Sequence, residues 1–296
     1  YTDKNNSFKS LRDLPAQVDT NPETTARSRA RYFNSGNAFM VGSSPIPDMV
    51  FEKEPRKALS DSTATALIPC DISSQLGCNY AATSPLILVY YARINSGEVL
   101  PTIFNASGAL AYVISGSGET SCQDEVIKWG KGDVFLMPGG KKQNHRAFEE
   151  PVILWIATNE PQLAFEHSSI KDGTSVSGMV HYPSQEIDRQ FDLIYSIDAD
   201  QDVSGSAVIF SSCDQELNKN ILPTLTAGIN SLPPNAKQRP HRHNSIAISL
   251  VIEGEGCFSL IDGKKKKWLP WATMITPPVS MHSHHNEGNK MAKFLI

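Results

Sequence analysis

The sequence predicts an all-β chain: two tandem jelly-roll β-barrels behind an N-terminal arm containing short helices. Three observations lead there. Two segments repeat one another, short apolar runs alternate with Gly/Pro turns, and helical periodicity is weak along the chain. The 296 residues suit one large domain or two of ordinary size, and at 40% hydrophobic and 20% charged they can build a real core.

We expect an arm over 1–60, a first β-unit over 61–165, a mostly polar joining stretch over 166–200 and a second β-unit over 201–296. The arm holds the best helix candidate, between Pro22 and Arg31, with Pro22 suited to a first turn. Its opening residues, Tyr1-Thr2-Asp3-Lys4-Asn5-Asn6, are polar and unlike a secretory signal. The chain begins at Tyr1 and not at a methionine, so we expect that it has been trimmed, and a lost targeting segment stays open. The longest apolar runs, such as Pro85 to Ala92, fall well short of the ~20 residues a membrane helix needs.

The repeat pairs Ala111–Glu119 with Ser249–Cys257, each an apolar strand entering a Gly-x-Gly turn. Gly116, Gly118, Gly254 and Gly256 serve backbone geometry there, because no helix follows to make a phosphate loop. A tryptophan comes next in each copy, Trp129 and Trp268, followed by an apolar strand ending in proline, Gly132–Pro138 and Ala272–Pro278. With Trp155 and Trp271, these rings are expected in cores or interfaces. Asp262-Gly263 reads as a hairpin turn that makes Lys264–Lys267 a solvated strand. Met291–Ile296 is an apolar strand that should pair within its barrel or with a neighbouring copy.

The chemistry concentrates in Pro240-His241-Arg242-His243 and in His282, within Met281-His282-Ser283-His284-His285-Asn286. Histidines at i and i+2 of a strand share a face. A third from a later strand closes one side of a coordination sphere and leaves the other open, as a catalytic metal requires. Superposing Gly116 on Gly254 sets Ile103 and Asn105 opposite His241 and His243, and Asn144 opposite His282. The first unit is therefore expected to be metal-free, and His145 reads as a polar surface or rim residue. Arg242 should point away from the metal into a structural ion pair, Gln238 and Arg239 should border the pocket mouth, His285 should face outward, and Asn286 should buttress the turn beyond His282.

A formal net charge of −4 argues against a nucleic-acid partner. Cys70, Cys78, Cys122, Cys213 and Cys257 show no CxxC spacing, so isolated thiols in a reducing, cytoplasmic setting are the simplest account.

The residues Pro223–Ile229, Leu232-Pro233-Pro234, Pro240–His243, Val251–Gly256, Thr276-Pro277-Pro278, Met281–His284 and Asn286-Glu287-Gly288 resemble the bicupin family, and within it the gentisate 1,2-dioxygenase-like ring-cleaving enzymes. The resemblance implies Fe(II) on His241, His243 and His282, with His284 as a nearby catalytic histidine that orients substrate and O₂. It implies a small substrate chelating through a hydroxyl and a carboxylate, and a homo-oligomer. The ligand type alone would also suit Mn, Zn, Ni or Cu. Asn244–Ala247 lacks the acid ligand of the usual cupin motif. Three departures from the family stand out: Ser249 replaces a substrate-holding arginine, Val279-Ser280-Met281 replaces aromatic residues, and the metal site falls in the second copy where the family's gentisate enzymes use the first. They count against gentisate itself and leave a small, anionic aromatic or other hydroxylated acid as the expected substrate. A non-oxidative metal-dependent lyase, isomerase or decarboxylase is the alternative, and a ligand-binding module is a third reading.

Overall fold

A computed structural model describes residues 8–39, 45–171, 178–197 and 205–296. The polar opening at 1–6 and parts of the 166–200 stretch lie outside the described residues. Tyr1–Pro45 form one compact unit and Ile46–Ile296 another. The first unit contains α1 (Thr25–Ser28), shorter than the expected helix, with the Thr24 hydroxyl accepting the Arg27 amide at 3.2 Å as its N-cap.

The second unit opens with β1 (Val50–Phe51), α2 (Lys53–Leu59), β2 (Ala66–Pro69) and α3 (Ser73–Leu76). The first repeat then runs through β3 (Leu88–Ile94), β4 (Val99–Ile103), β5 (Gly108–Ser115), β6 (Gly118–Cys122), β7 (Glu125–Trp129), β8 (Val134–Pro138), β9 (Lys142–Ala147) and β10 (Val152–Thr158). After it come α4 (Glu160–Phe165), β11 (Val180–Tyr182) and α5 (Ser184–Tyr195). The second repeat holds β12 (Ser206–Phe210), β13 (Ala227–Leu232), β14 (Ala247–Glu253), β15 (Cys257–Ile261), β16 (Lys264–Lys267), β17 (Thr273–Thr276), β18 (His282–Asn286) and β19 (Ala292–Leu295).

These strands do not close into the two jelly-roll barrels that the sequence led us to expect. They form four open sheets, ordered β1-β17-β14-β19-β13-β12, β11-β8-β5-β10-β3-β2, β16-β15-β18 and β4-β9-β6-β7. The edges explain why. β1 has two residues, β11 has three, and β16 is four lysines. Short or lysine-rich edge strands end a hydrogen-bonded ladder and resist further pairing. The protein is thus mostly antiparallel sheet with a few short helices.

Strand alternation builds the interiors. On β5, Leu110, Tyr112 and Ile114 join a core shared by the two six-stranded sheets, which also holds Trp155, Ile248, Leu250 and Ile275. Ala109, Ala111 and Val113 face the other way, into the first repeat's own core with Phe104, Trp129, Phe135 and Met137. The second repeat's core is smaller and includes Val251, Trp268, Met274 and Phe294. Thr273 ties the two large sheets together: Trp155 Nε1 donates to its hydroxyl at 2.9 Å, and the Tyr91 hydroxyl lies 2.7 Å away.

The longest helix, α5, falls in a stretch read as a polar connection. Ile187 and Phe191, four residues apart, bury one stripe against the shared core. The expected Asp262-Gly263 hairpin turn is present, with φ of 46° and 77°, both in the left-handed region that a two-residue primed turn needs. The C-terminal strand pairs inside the chain, β19 lying between β14 and β13.

Candidate metal centre

His282 sits on β18 and is buried. His241 pairs with it through two backbone hydrogen bonds of 2.9 Å, N–H to C=O in each direction. Two residues later His243 accepts the Val279 amide on its carbonyl at 2.9 Å. One ligand atom from each of the three imidazoles lies within 4.8 Å of the others. The predicted trio is therefore assembled, with His241 and His243 half-buried at the open side.

The ring nitrogens are already sorted. His241 Nδ1 lies 3.0 Å from the Arg239 carbonyl, His243 Nδ1 lies 2.7 Å from the Ser245 carbonyl, and His282 Nδ1 lies 3.0 Å from the Ser280 carbonyl. A carbonyl only accepts, so each Nδ1 carries the proton and each Nε2 keeps its lone pair. Backbone partners of this kind fix tautomer and ring direction for metal ligands. Burial, together with the neighbouring imidazoles, lowers the His282 pKa and favours the neutral, ligating form. No carboxylate joins the group among the described residues. Three neutral nitrogen donors fit a divalent cation and leave its double charge intact for an anionic partner. A histidine-based metal-binding site is present.

His284, two residues along β18, points to the same interior and is buried. Burial, then the surrounding imidazoles, push its pKa down to about 3, so the ring is neutral. Its Nδ1 lies 2.8 Å from Ser259 Oγ, which accepts the Trp268 indole N–H at 2.8 Å. With the indole donating inward, the serine proton satisfies both groups by going to Nδ1. That leaves His284 as an Nε2–H donor.

The first repeat has the same relay in the same register. Trp129 donates to Thr120 Oγ1 at 2.9 Å, and Thr120 lies 2.9 Å from His145 Nδ1. His145 is wholly buried, not the rim residue expected, and burial lowers its pKa to about 4. Cross-strand pairs Thr120↔His145 and Ser259↔His284 set the offset between repeats here at 139 (284 against 145, 259 against 120). His241 then corresponds to Thr102, His243 to Phe104 and His282 to Gln143. The pairs Thr102↔Gln143 and His241↔His282 agree with this. In the first repeat the relay runs on from His145 Nε2 to Thr102 at 3.0 Å, to Gln143 Oε1 at 3.2 Å, and from Gln143 Nε2 to the Pro138 carbonyl at 2.7 Å. It closes on protein, and Phe104 is buried in that repeat's apolar core. In the second repeat it stops at His284 Nε2, for which no protein partner occurs among the described residues. The signal for the relay was in the sequence as a hydroxyl residue nine positions before each tryptophan.

Other expectations fare differently. Asn286 is buried and braces the turn, donating to the carbonyls of Leu232, Pro233 and Lys290 and accepting the Gly288 amide. His285 faces outward, half-buried and stacked on Phe258 at 4.7 Å. Arg242 is exposed, but the expected ion pair is not made within 4 Å among the described residues. Gln238 is half-buried, its backbone N–H donating to the His284 carbonyl at 2.8 Å. None of the five cysteines is paired. No helix among the described residues is long and apolar enough to cross a membrane.

Residues 228–296 match the Cupin domain family. A 5-aminosalicylate 1,2-dioxygenase from Comamonas sp. is 26% identical over 107 residues, 31% of this chain and 29% of that protein. A gentisate 1,2-dioxygenase from Aquipseudomonas alcaligenes is 31% identical over 70 residues, 24% of this chain and 20% of that protein. The chain thus matches under a third of the length of these curated relatives. The crystal structure of a salicylate 1,2-dioxygenase from Pseudaminobacter salicylatoxidans superposes with a TM-score of 0.69 at 14% identity, covering 84% of this chain and 83% of that one. The chain has a bicupin-type fold that resembles the gentisate and salicylate 1,2-dioxygenases.

Proposed function

We propose that the protein is an Fe(II)-dependent dioxygenase that opens or oxidises a small aromatic or hydroxylated acid at His241, His243 and His282. One observation carries the reading: one ring nitrogen from each of three histidines converges, with no acid among them in the described residues, so an anionic substrate can supply the missing negative charge. The dioxygenase relatives support it. Fe(II) bound there would supply the one-electron chemistry through which dioxygen reacts with an organic ring. The division into a metal-free first β-unit (61–165), a joining stretch (166–200) and a metal-binding second unit (201–296) belongs to the same proposal, as do a cytoplasmic location and a homo-oligomeric state.

The chain's own groups have defined tasks. The Arg239, Ser245 and Ser280 carbonyls hold the three rings in ligating orientation. His284, kept neutral by burial, offers its Nε2–H to substrate or dioxygen as a directed hydrogen bond and can return that proton to a developing oxyanion. Ser259 and Trp268 hold the ring in place.

Iron content measured together with oxygen uptake on a panel of hydroxybenzoates and hydroxynaphthoates tests the reading. We expect uptake stoichiometric with substrate loss. Full iron loading with no uptake on any panel member would count decisively against it. The donor set equally accepts Mn, Zn or Ni, which favours a non-oxidative lyase, isomerase or decarboxylase as the second reading. Turnover under strict anaerobiosis would establish that one.

A further inference from the structure

The seam between the two repeats holds a cavity of about 350 Å³ that the metal centre does not account for. Leu110, Trp155 and Ala157 of the first repeat wall it on one side, Ile248 and Leu295 of the second on the other. All five belong to the core shared by the two large sheets. Ile248 points there, while Val251, three residues along β14, points into the second repeat's own interior, where Trp268 meets His284. The cavity is thus on the opposite face of β14 from that interior. Of the four imidazoles of the candidate site, only His243 lines it.

A second hollow, of about 290 Å³, adjoins the first, because Ile87, Leu225 and Ile246 line both. These three side chains are half-buried and mark the passage from one space to the other. The hollow is polar but uncharged, with Asn159, Gln162, Thr224 and Asn244 on its walls. The Asn244 side-chain amide is exposed and makes no hydrogen bond to protein among the described residues. No aspartate, glutamate, lysine or arginine among the described residues lines either space.

We infer that this seam is a second ligand site, distinct from the metal, and that it takes a small uncharged amphiphile: an apolar body in the cavity and a hydroxyl or amide head in the polar hollow. Spaces of about 300–1,000 Å³ are the size of small-molecule sites. Apolar cavities exclude water and accept apolar guests. Each methylene that enters gains about fourfold in affinity until the cavity is full. A charged head leaves water with no counter-ion beside it, whereas a neutral head finds the Asn244 amide. Occupancy of the seam requires nothing of the metal.

Equilibrium dialysis of the full chain against the straight-chain alcohols from 1-butanol to 1-decanol, and against n-octylammonium, is the test. We expect saturable binding of one alcohol per chain, with affinity rising about fourfold per methylene and levelling off within the series. Octylammonium should bind at least about tenfold more weakly than 1-octanol. Ile87→Trp, which plugs the passage, should abolish binding. Leu110→Ala, which deepens the cavity, should move the levelling-off to a longer alcohol. Uptake that does not saturate, an affinity that climbs through the whole series, octylammonium as tight as 1-octanol, or a length profile unmoved by either variant overturns the site. None of these outcomes touches the reading of the histidine trio.

Discussion

His145 and His284 stand at the same register position in the two repeats, each with Nδ1 on a strand hydroxyl, 2.9 Å from Thr120 Oγ1 and 2.8 Å from Ser259 Oγ. The difference is at the other nitrogen. In the first repeat Thr102 occupies it at 3.0 Å, and in the second it has no protein partner among the described residues. One scaffold thus closes on protein in one copy and leaves a buried nitrogen unpaired by protein in the other.

That contrast predicts opposite outcomes for the same change. His145→Ala should cost about 2–4 kcal/mol of stability, because it opens a cavity and strands buried polar partners. Activity at permissive temperature should be kept. His284→Ala should retain stoichiometric metal and lose turnover by about 10²-fold or more. Thermal denaturation and metal analysis on both variants check the split. Unchanged turnover in His284→Ala would remove its assigned role.

Metal binding should fail when a ligand ring is lost. His241→Ala and His282→Ala are each expected to lower affinity by orders of magnitude, since metal binding depends on ligand number and protonation. Elemental analysis after dialysis is the measurement. Stoichiometric metal in both would refute the ligand set.

The buried His145 gives stability a pH dependence. Its pKa is about 4 in the folded chain against ~6.5 unfolded, so the folded state disfavours the proton. The associated stability is fully present above about pH 6.5, is lost as pH falls toward 4, and changes no further below that. Its size is roughly 3 kcal/mol, from about 1.4 kcal/mol per pKa unit. Urea denaturation of wild type and His145→Gln across this window should show a shallower slope in the variant, and parallel curves would contradict the assignment.

Thr273→Val should destabilise by about 2 kcal/mol, because the isosteric change leaves the Trp155 indole N–H buried without an acceptor. Chemical denaturation would measure it, and a difference under about 0.5 kcal/mol would mean another acceptor takes over.

Much of this was legible beforehand. The i, i+2 histidine pair and the distant His282 announced a metal centre because side-chain alternation is a local rule. Sheet closure was not legible. It depends on which edges meet, and the repeat pattern in Val113 or Val251 is the same whether or not they do. The one-residue change in offset, from 138 at the glycine turn to 139 at the relay, hid the match of His145 to His284. α5 was overlooked because its apolar stripe, Ile187, Phe191 and Ile194, is short and sits in a stretch that is mostly polar overall.

Val50 and Phe51 pair with Met274 and Thr273, so a segment preceding the first repeat supplies the outermost strand of the second repeat's large sheet. A cut between the repeats would therefore part β1 from β17. A truncated product beginning near residue 205 would carry all four imidazoles of the candidate site, yet it would bare one flank of β17 to any passing strand and invite self-association.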